Sequence, residues 1–176
     1  MNDSPGPDQP FKCRIAYPGD APAIHAVQEE SYSVLMQEEI EVILQRLHDA
    51  PRTCWIAEDD AGPCGYLLAY PSRLGAVTPL GGHFCLVSNA DTLYLHDLAV
   101  PSRMAGKGVG SALVELAMQA AAAWNISSSA LVSVQGSRQY WMRLGYTAMA
   151  PDLQYAANLK SYPDDAVYMV KRLCGS

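Results

Sequence analysis

The hydrophobic pattern of the chain switches repeatedly between a period of two and a period of 3.6 residues, and each switch marks an element. Phe11 to Tyr17 predicts a first strand. Pro18-Gly19-Asp20 breaks it, and Asp20 followed by Pro22 predicts an N-cap and the first turn of a helix. That helix, Ala21 to about Tyr32, turns Ile24, Val27 and Gln28 inward, and a second, from about Gln37 to His48, stripes Ile40, Ile43, Leu44 and Leu47. Thr53 to Glu58 and Cys64 to Tyr70 are apolar almost throughout, as central strands covered on both faces are, and Asp59 to Pro63 between them is hairpin chemistry. Pro71 to Asp91 is rich in Pro, Gly and Ser and longer than connections usually run, so a flap on the substrate side is expected. Thr92 to Val100 predicts a further strand, stopped by Pro101, which cannot donate to a sheet ladder. Val109, Leu113, Leu116, Ala117, Ala120 and Trp124 then follow a helical period to about Asn125. Downstream come a strand (Ala130 to Val134), a helix (Gly136 to Leu144) stopped at Gly145, and a strand (Tyr146 to Met149). An irregular stretch from Leu153 to Asp165 and a closing strand from Ala166 to Leu173 complete the order. Met1 to Pro10, with three prolines, two aspartates and one glycine, predicts a flexible tail ahead of a single domain over residues 11–176.

The turn between Pro101 and the long helix carries candidate chemistry. Glycines at Gly106, Gly108 and Gly110 let successive backbone N–H groups converge, and the helix start adds partial positive charge. With Arg103 and Lys107 beside it, such a nest suits a pyrophosphate. The Walker pattern fails because Lys107 is followed by Gly108, and the dinucleotide pattern fails because Ser111 stands where its third glycine is needed. Arg-x-x-Gly-x-Gly fits, written Arg103-Met-Ala-Gly106-Lys-Gly108 directly after a strand ending Leu98-Ala99-Val100.

This loop resembles the acetyl-CoA pyrophosphate loop of the GNAT superfamily of N-acetyltransferases. Ser137 to Tyr146, with Tyr140-Trp141-Met-Arg-Leu144-Gly145-Tyr146, resembles the second signature of that superfamily, and the element order is similar too. The resemblance implies an α/β (α+β) GNAT fold: a mixed, mostly antiparallel sheet of about seven strands with helices on both faces. It implies acetyl-CoA as cofactor and transfer of its acetyl group to a primary amine of a small molecule, by direct attack in a ternary complex. The implied cofactor contacts run through Leu98, Ala99 and Val100, then Arg103, Met104, Ala105, Gly106, Lys107, Gly108, Val109, Gly110 and Ser111, and on to Gln135, Tyr140 and Trp141. The strand before the loop would splay from its neighbour, freeing the Leu98 and Val100 backbones for the pantetheine arm, with the Leu98 N–H as oxyanion donor. The helix pair would roof the acceptor, bringing Ser31, Tyr32 and Met36 to it, with Tyr94, Tyr162 and Tyr168 from the other side.

His96 resembles the base of serotonin-type arylalkylamine acetyltransferases, and a histidine near its ordinary pKa suits that role. Tyr94 shares its face and would orient substrate or water. Asp97 is expected on the opposite face with a structural role, unless the strand bulges, which would make it the rival base. One departure stands out. The tyrosine that reprotonates the leaving thiolate in the family is Trp141 here, with Tyr140 one residue earlier. Either Tyr140 serves from a shifted helix, solvent serves, or the protein only binds acyl-CoA. A non-catalytic acyl-CoA sensor and a protein or peptide N-acetyltransferase are therefore the alternative readings. Val134 also replaces the side-chain amide that often touches pantetheine, leaving Gln135 nearest.

Composition narrows the picture further. The chain has 176 residues, of which 49% are hydrophobic and 17% charged, enough for one globular core. A net charge of −6 argues against nucleic acid. Five scattered cysteines and four scattered histidines show no metal-ligand spacing, and reduced thiols suit a cytoplasmic protein. With no apolar run of membrane-spanning length, no membrane partner is expected. Pairing through the C-terminal strands into a homodimer is common in the superfamily.

Overall fold

Seven strands build one sheet in the order β1-β2-β3-β4-β5-β7-β6 in the computed structural model, which describes residues 10–173. They are β1 (Lys12–Ile15), β2 (Cys54–Asp59), β3 (Gly62–Ser72), β4 (Thr92–Ala99), β5 (Ser128–Ser133), β6 (Thr147–Ala148) and β7 (Val167–Arg172). Every neighbouring pair is antiparallel except β4–β5. The mixed sheet with helices on both faces is as expected. Residues 1–9 of the expected tail over residues 1–10, and Cys174 with the chain's end, lie outside the described residues.

Helices α1 (Ala21–Ser31) and α2 (Ile40–Asp49) cover one face, burying Ile24, Val27, Ile43 and Leu47 against Tyr66, Leu68 and Tyr94. Helices α3 (Val109–Ala123) and α4 (Arg138–Arg143) cover the other, where Leu113, Ala117 and Trp141 meet Leu67, Ala69, Leu93 and Leu95. A fully buried leucine such as Leu113 contributes about 1.5–3 kcal/mol. The β3 strand makes room for α3 with a glycine: a Cβ on Gly65 would lie 2.7 Å from Val109 Cγ1 and 3.3 Å from the Ala99 carbonyl. A short helix, α5 (Ala156–Leu159), interrupts the stretch expected to be irregular.

Four details depart from the pattern reading. Helix α2 begins at Ile40, because Val34–Met36 forms a separate 3-10 turn and Gln37 and Glu39 are extended. Leu44 of the expected stripe is exposed, and Arg46 is wholly buried on that helix instead. Asp20 does not cap α1 with its side chain, because both its oxygens are bonded by Arg14 and one also accepts the Tyr17 N–H. The expected flap is packed down: Val77 and Phe84 are buried, and Phe84 stacks on Tyr70 at 4.2 Å.

The pairing of β3 with β4 slips in a way that decides the site. Leu68 pairs with Asp97 and Ala69 with Leu95, so His96 is an extra residue in β4. The bulge turns two consecutive side chains, His96 and Asp97, toward the α1–α2 face, where regular alternation would send only one.

Candidate active site

The parallel pairing of β4 with β5 ends at Leu95 and Leu131, and beyond that point the two strands part. A cleft of about 590 Å³ opens between them. It runs continuously from the start of α3 to the helix pair on the opposite face.

At the α3 end the cleft is walled by the loop from Met104 to Ser111, with the exceptions of Lys107, which reaches back to Met104 Sδ at 3.7 Å. Gly106 (φ 75°) and Gly108 (φ 86°) adopt the left-handed backbone that turns their N–H groups together, and Gly108 is the N-cap of α3. Opposite stand Val134, Gln135, Tyr140, Trp141 and Arg143. The Tyr140 hydroxyl lies against the first turn of α3, where a Cβ on Gly110 would meet it at 2.9 Å. It is buried without a hydrogen-bond partner, and burial raises its pKa, so it is a protonated donor with nothing to donate to. Trp141 packs edge-on against Tyr146 in the core, 5.4 Å between centroids, with one edge on the cleft.

Besides Lys107, two expected cofactor contacts do not form this wall. Arg103 turns away to Glu30 (3.3 Å), Asp59 (3.4 Å) and the Pro63 carbonyl (2.7 Å). Ala99 is buried on the far face among α1–α2 residues. The cation that does line the cleft is Arg143, which no motif singled out.

The other end is built on the bulge. Asp97 accepts a hydrogen bond from Tyr32 (2.7 Å) on one oxygen and from Tyr66 (2.5 Å) on the other. This corrects the expected opposite-face position of Asp97. Burial, with the Glu38 charge behind it, pushes the Asp97 carboxyl up to about 6, against the pull of the two tyrosines and Arg46. Tyr32 lies between two acceptors, the Asp97 carboxylate and the Leu98 carbonyl at 2.8 Å, with one proton to give. A protonated Asp97 can therefore donate to Tyr32 while Tyr32 donates to Leu98, so both charge states of Asp97 are satisfied.

His96, the expected base, also lines the cleft, but its imidazole is not near its ordinary pKa. Burial and the Arg46 charge push its imidazole down to about 4, overriding the opposing effect of Glu38. Its Nε2 faces a Glu38 oxygen at 3.5 Å, and its Nδ1 is buried without a partner. Glu38 is the hub of this end. Both terminal nitrogens of the Arg46 guanidinium donate to it, one at 2.7 Å, and the Gly81 N–H donates to it at 2.7 Å. Burial alone would raise its pKa, but bonds from His96 and Arg46 hold it far below the usual carboxylate range. Arg46 also donates to the Gly82 carbonyl at 2.8 Å and lies over the Phe84 ring, so the same cluster ties the 73–91 loop to α2.

Of the remaining candidates, Tyr32, Met36 and Tyr162 line this end, joined by Leu80. Tyr94 does not: it is fully buried beneath, between Tyr70 and His96, which corrects its expected contact with substrate. Tyr168 accepts the Gly75 N–H in the core, and Ser31 bonds its own helix at Val27, so neither reaches the cleft. Among the described residues no cluster of His, Cys, Asp or Glu could hold a metal ion, and no helix is long and apolar enough to cross a membrane.

The family model described as "Acetyltransferase (GNAT) family" matches residues 21–146. No curated protein matches the sequence. Solved structures do share the fold. Ard1 from Thermoplasma volcanium has 16% identity and a TM-score of 0.70, over 94% of this chain and 99% of that one. The ribosomal-protein-S18-alanine N-acetyltransferase from Escherichia coli has 11% identity and a TM-score of 0.67, over 94% and 96%. Rv2747 from Mycobacterium tuberculosis, in complex with CoA and NLQ, has 17% identity and a TM-score of 0.65, over 92% and 99%.

Proposed function

Since the chain belongs to the acetyltransferase (GNAT) family, we propose that its cleft binds acetyl-CoA at the α3 end and acetylates a small primary amine at the Asp97 end. The observation that carries this reading is the single cleft itself, which joins a glycine nest to a buried carboxylate through the gap between β4 and β5.

The residues present fit the cofactor. Gly106 and Gly108 turn backbone donors toward the start of a 15-residue helix. The unpartnered Tyr140 hydroxyl and the Arg143 guanidinium stand opposite, supplying a neutral and a charged donor for phosphate oxygens. When bound, acetyl-CoA supplies a thioester whose carbonyl carbon gains a C–N bond and loses its C–S bond, the sulfur leaving as thiolate. The Leu98 and Val100 backbones, at the splay, hold the arm and offer the oxyanion donor.

Asp97 takes the first proton. An amine arrives as an ammonium and must lose one proton before it can attack. A carboxylate with pKa about 6 is ionised at neutral pH yet basic enough to accept that proton, whereas an imidazole at about 4 is a far weaker acceptor. Tyr32 and Tyr66 remain protonated, since burial and the Asp97 charge raise both well above their ordinary values. They hold the two oxygens in place. The nitrogen's second proton, released as the amide forms, goes to the thiolate through solvent in the cleft, because Tyr140 is occupied at the phosphate end.

Neighbouring structures with CoA bound support the cofactor, and what they bind beside it includes a Gag peptide in one and NLQ in another. Release of CoA thiol, measured with a panel of small amines, tests the proposal. Release with amines and none without them is expected; no release with any acceptor, despite acetyl-CoA binding, would overturn it.

A further inference from the structure

The hydrogen-bond inventory at the Asp97 end of the cleft is one-sided. Every side-chain donor that lines it is already committed, and the Tyr94 hydroxyl, which has no partner, is fully buried beneath the wall and does not line the cleft. Tyr66 gives its proton to Asp97, Tyr32 gives its proton to Asp97 or Leu98, and Tyr162 gives its proton to the Thr78 carbonyl at 2.8 Å. Arg46 is consumed by Glu38 and Gly82, and His96 Nε2 faces Glu38. The Glu38 carboxylate is saturated in turn by Arg46, Gly81 and His96, so its charge is not offered to a ligand. What is left over is acceptor capacity: the second lone pair of each Asp97 oxygen and the unpartnered Nδ1 of His96. Around these acceptors the wall is Met36, Leu80 and the rings of Tyr32 and Tyr162. The cation of the cleft, Arg143, belongs to the α3 end.

We infer that the acceptor is a monoamine with an apolar body and no anionic group beside its nitrogen. An ammonium supplies the N–H donors that Asp97 lacks, and an aliphatic or aromatic body replaces water on the apolar wall. A carboxylate next to the nitrogen, as in a free amino acid, would enter a pocket with no uncommitted side-chain donor and would face the Asp97 carboxylate. It would be desolvated without compensation and repelled. A site that leaves a buried polar group unpaired discriminates strongly against it. This inference rests on the acetyl-transfer reading and deepens it.

The test uses matched pairs on the full chain with saturating acetyl-CoA at pH 8. 2-Phenylethylamine is compared with L-phenylalanine, which adds only the α-carboxylate, and hexylamine with 6-aminohexanoate, which carries the carboxylate remotely. The inference expects kcat/KM for 2-phenylethylamine to exceed that for L-phenylalanine by at least about 100-fold, with a smaller gap for the second pair. Leu80→Arg, which adds a donor to the wall, should narrow the first ratio at least about tenfold. A wild-type ratio below ten, or a short peptide acetylated better than both monoamines, would overturn the assigned class while leaving acetyl transfer in place. Acetyl-CoA binding without acetylation of any of these acceptors would instead bring down the acetyl-transfer reading, and this inference with it.

Discussion

Replacing Asp97 by asparagine separates the catalytic account from a purely structural one, because it predicts opposite changes in activity and stability. Asparagine keeps the shape and can still accept from Tyr32, but it cannot take a proton. Loss of a positioned general base costs roughly 10²- to 10⁴-fold in kcat/KM. The stability effect follows from the pKa. The Asp97 carboxyl rises from 3.8 to about 6 on folding, so the native state holds its proton more tightly than the unfolded state does. That contribution is complete below pH 4 and is lost as pH rises through about 6. At pH 8 the ionised carboxylate therefore costs the fold up to about 3 kcal/mol, at about 1.4 kcal/mol per unit. The asparagine variant escapes that cost, so its Tm should rise by several degrees at pH 8 and converge with the wild type near pH 4. His96 pulls the other way, since its pKa falls to about 4 and the unfolded state binds its proton more tightly across pH 4–6.5. Removing Asp97 should therefore leave stability rising with pH across that window. Thermal melts at pH 4, 6 and 8, beside kcat/KM at pH 8, check all of this. An Asp97→Asn enzyme with wild-type kcat/KM, or one less stable at pH 8, would refute the reasoning.

Three further outcomes are expected. Because Arg103 is turned to Glu30 and Asp59, Arg103→Ala should leave the acetyl-CoA Kd nearly unchanged by calorimetry. Arg143→Ala, or Gly108→Val at its left-handed position, should raise it about tenfold or more, about 1.4 kcal/mol. Gly65→Ala places a methyl 2.7 Å from Val109 Cγ1 and should cost about 1–3 kcal/mol by urea denaturation. Arg46→Met leaves the buried Glu38 carboxylate without its main partner and should cost about 3–5 kcal/mol. Adding Glu38→Gln to that variant should restore part of the loss.

What could be read in the chain was whatever is written locally. Arg103-x-x-Gly106-x-Gly108 after a strand and before an amphipathic helix specifies the nest, because left-handed glycines and a helix start are adjacent in sequence. The element order followed for the same reason. The face of Asp97 did not. A bulge set by the partner strand, where Leu68 and Ala69 skip a residue of β4, turns Asp97 to the same face as His96; the sequence offered a bulge there only as an alternative, because the pairing that makes it lies in β3. Arg46 looked like a polar interruption of a helical stripe. Its partner Glu38 comes from an extended segment before α2, and the loop at Gly81 and Gly82 completes the cluster from far along the chain. Arg103 fits its motif, yet acidic residues from α1 and β2 capture its side chain. Distant charges, not local spacing, decided where these side chains point.

The most direct measurement of the central claim is product stoichiometry across pH. The protein is mixed with acetyl-CoA and 2-phenylethylamine, and free CoA thiol and N-acetyl product are both quantified between pH 5 and 9. Equimolar thiol and amide, with kcat/KM that climbs as Asp97 ionises near pH 6 and loses that dependence in Asp97→Asn, is the predicted result. Thiol release without amide, or a profile unchanged by the substitution, would contradict it.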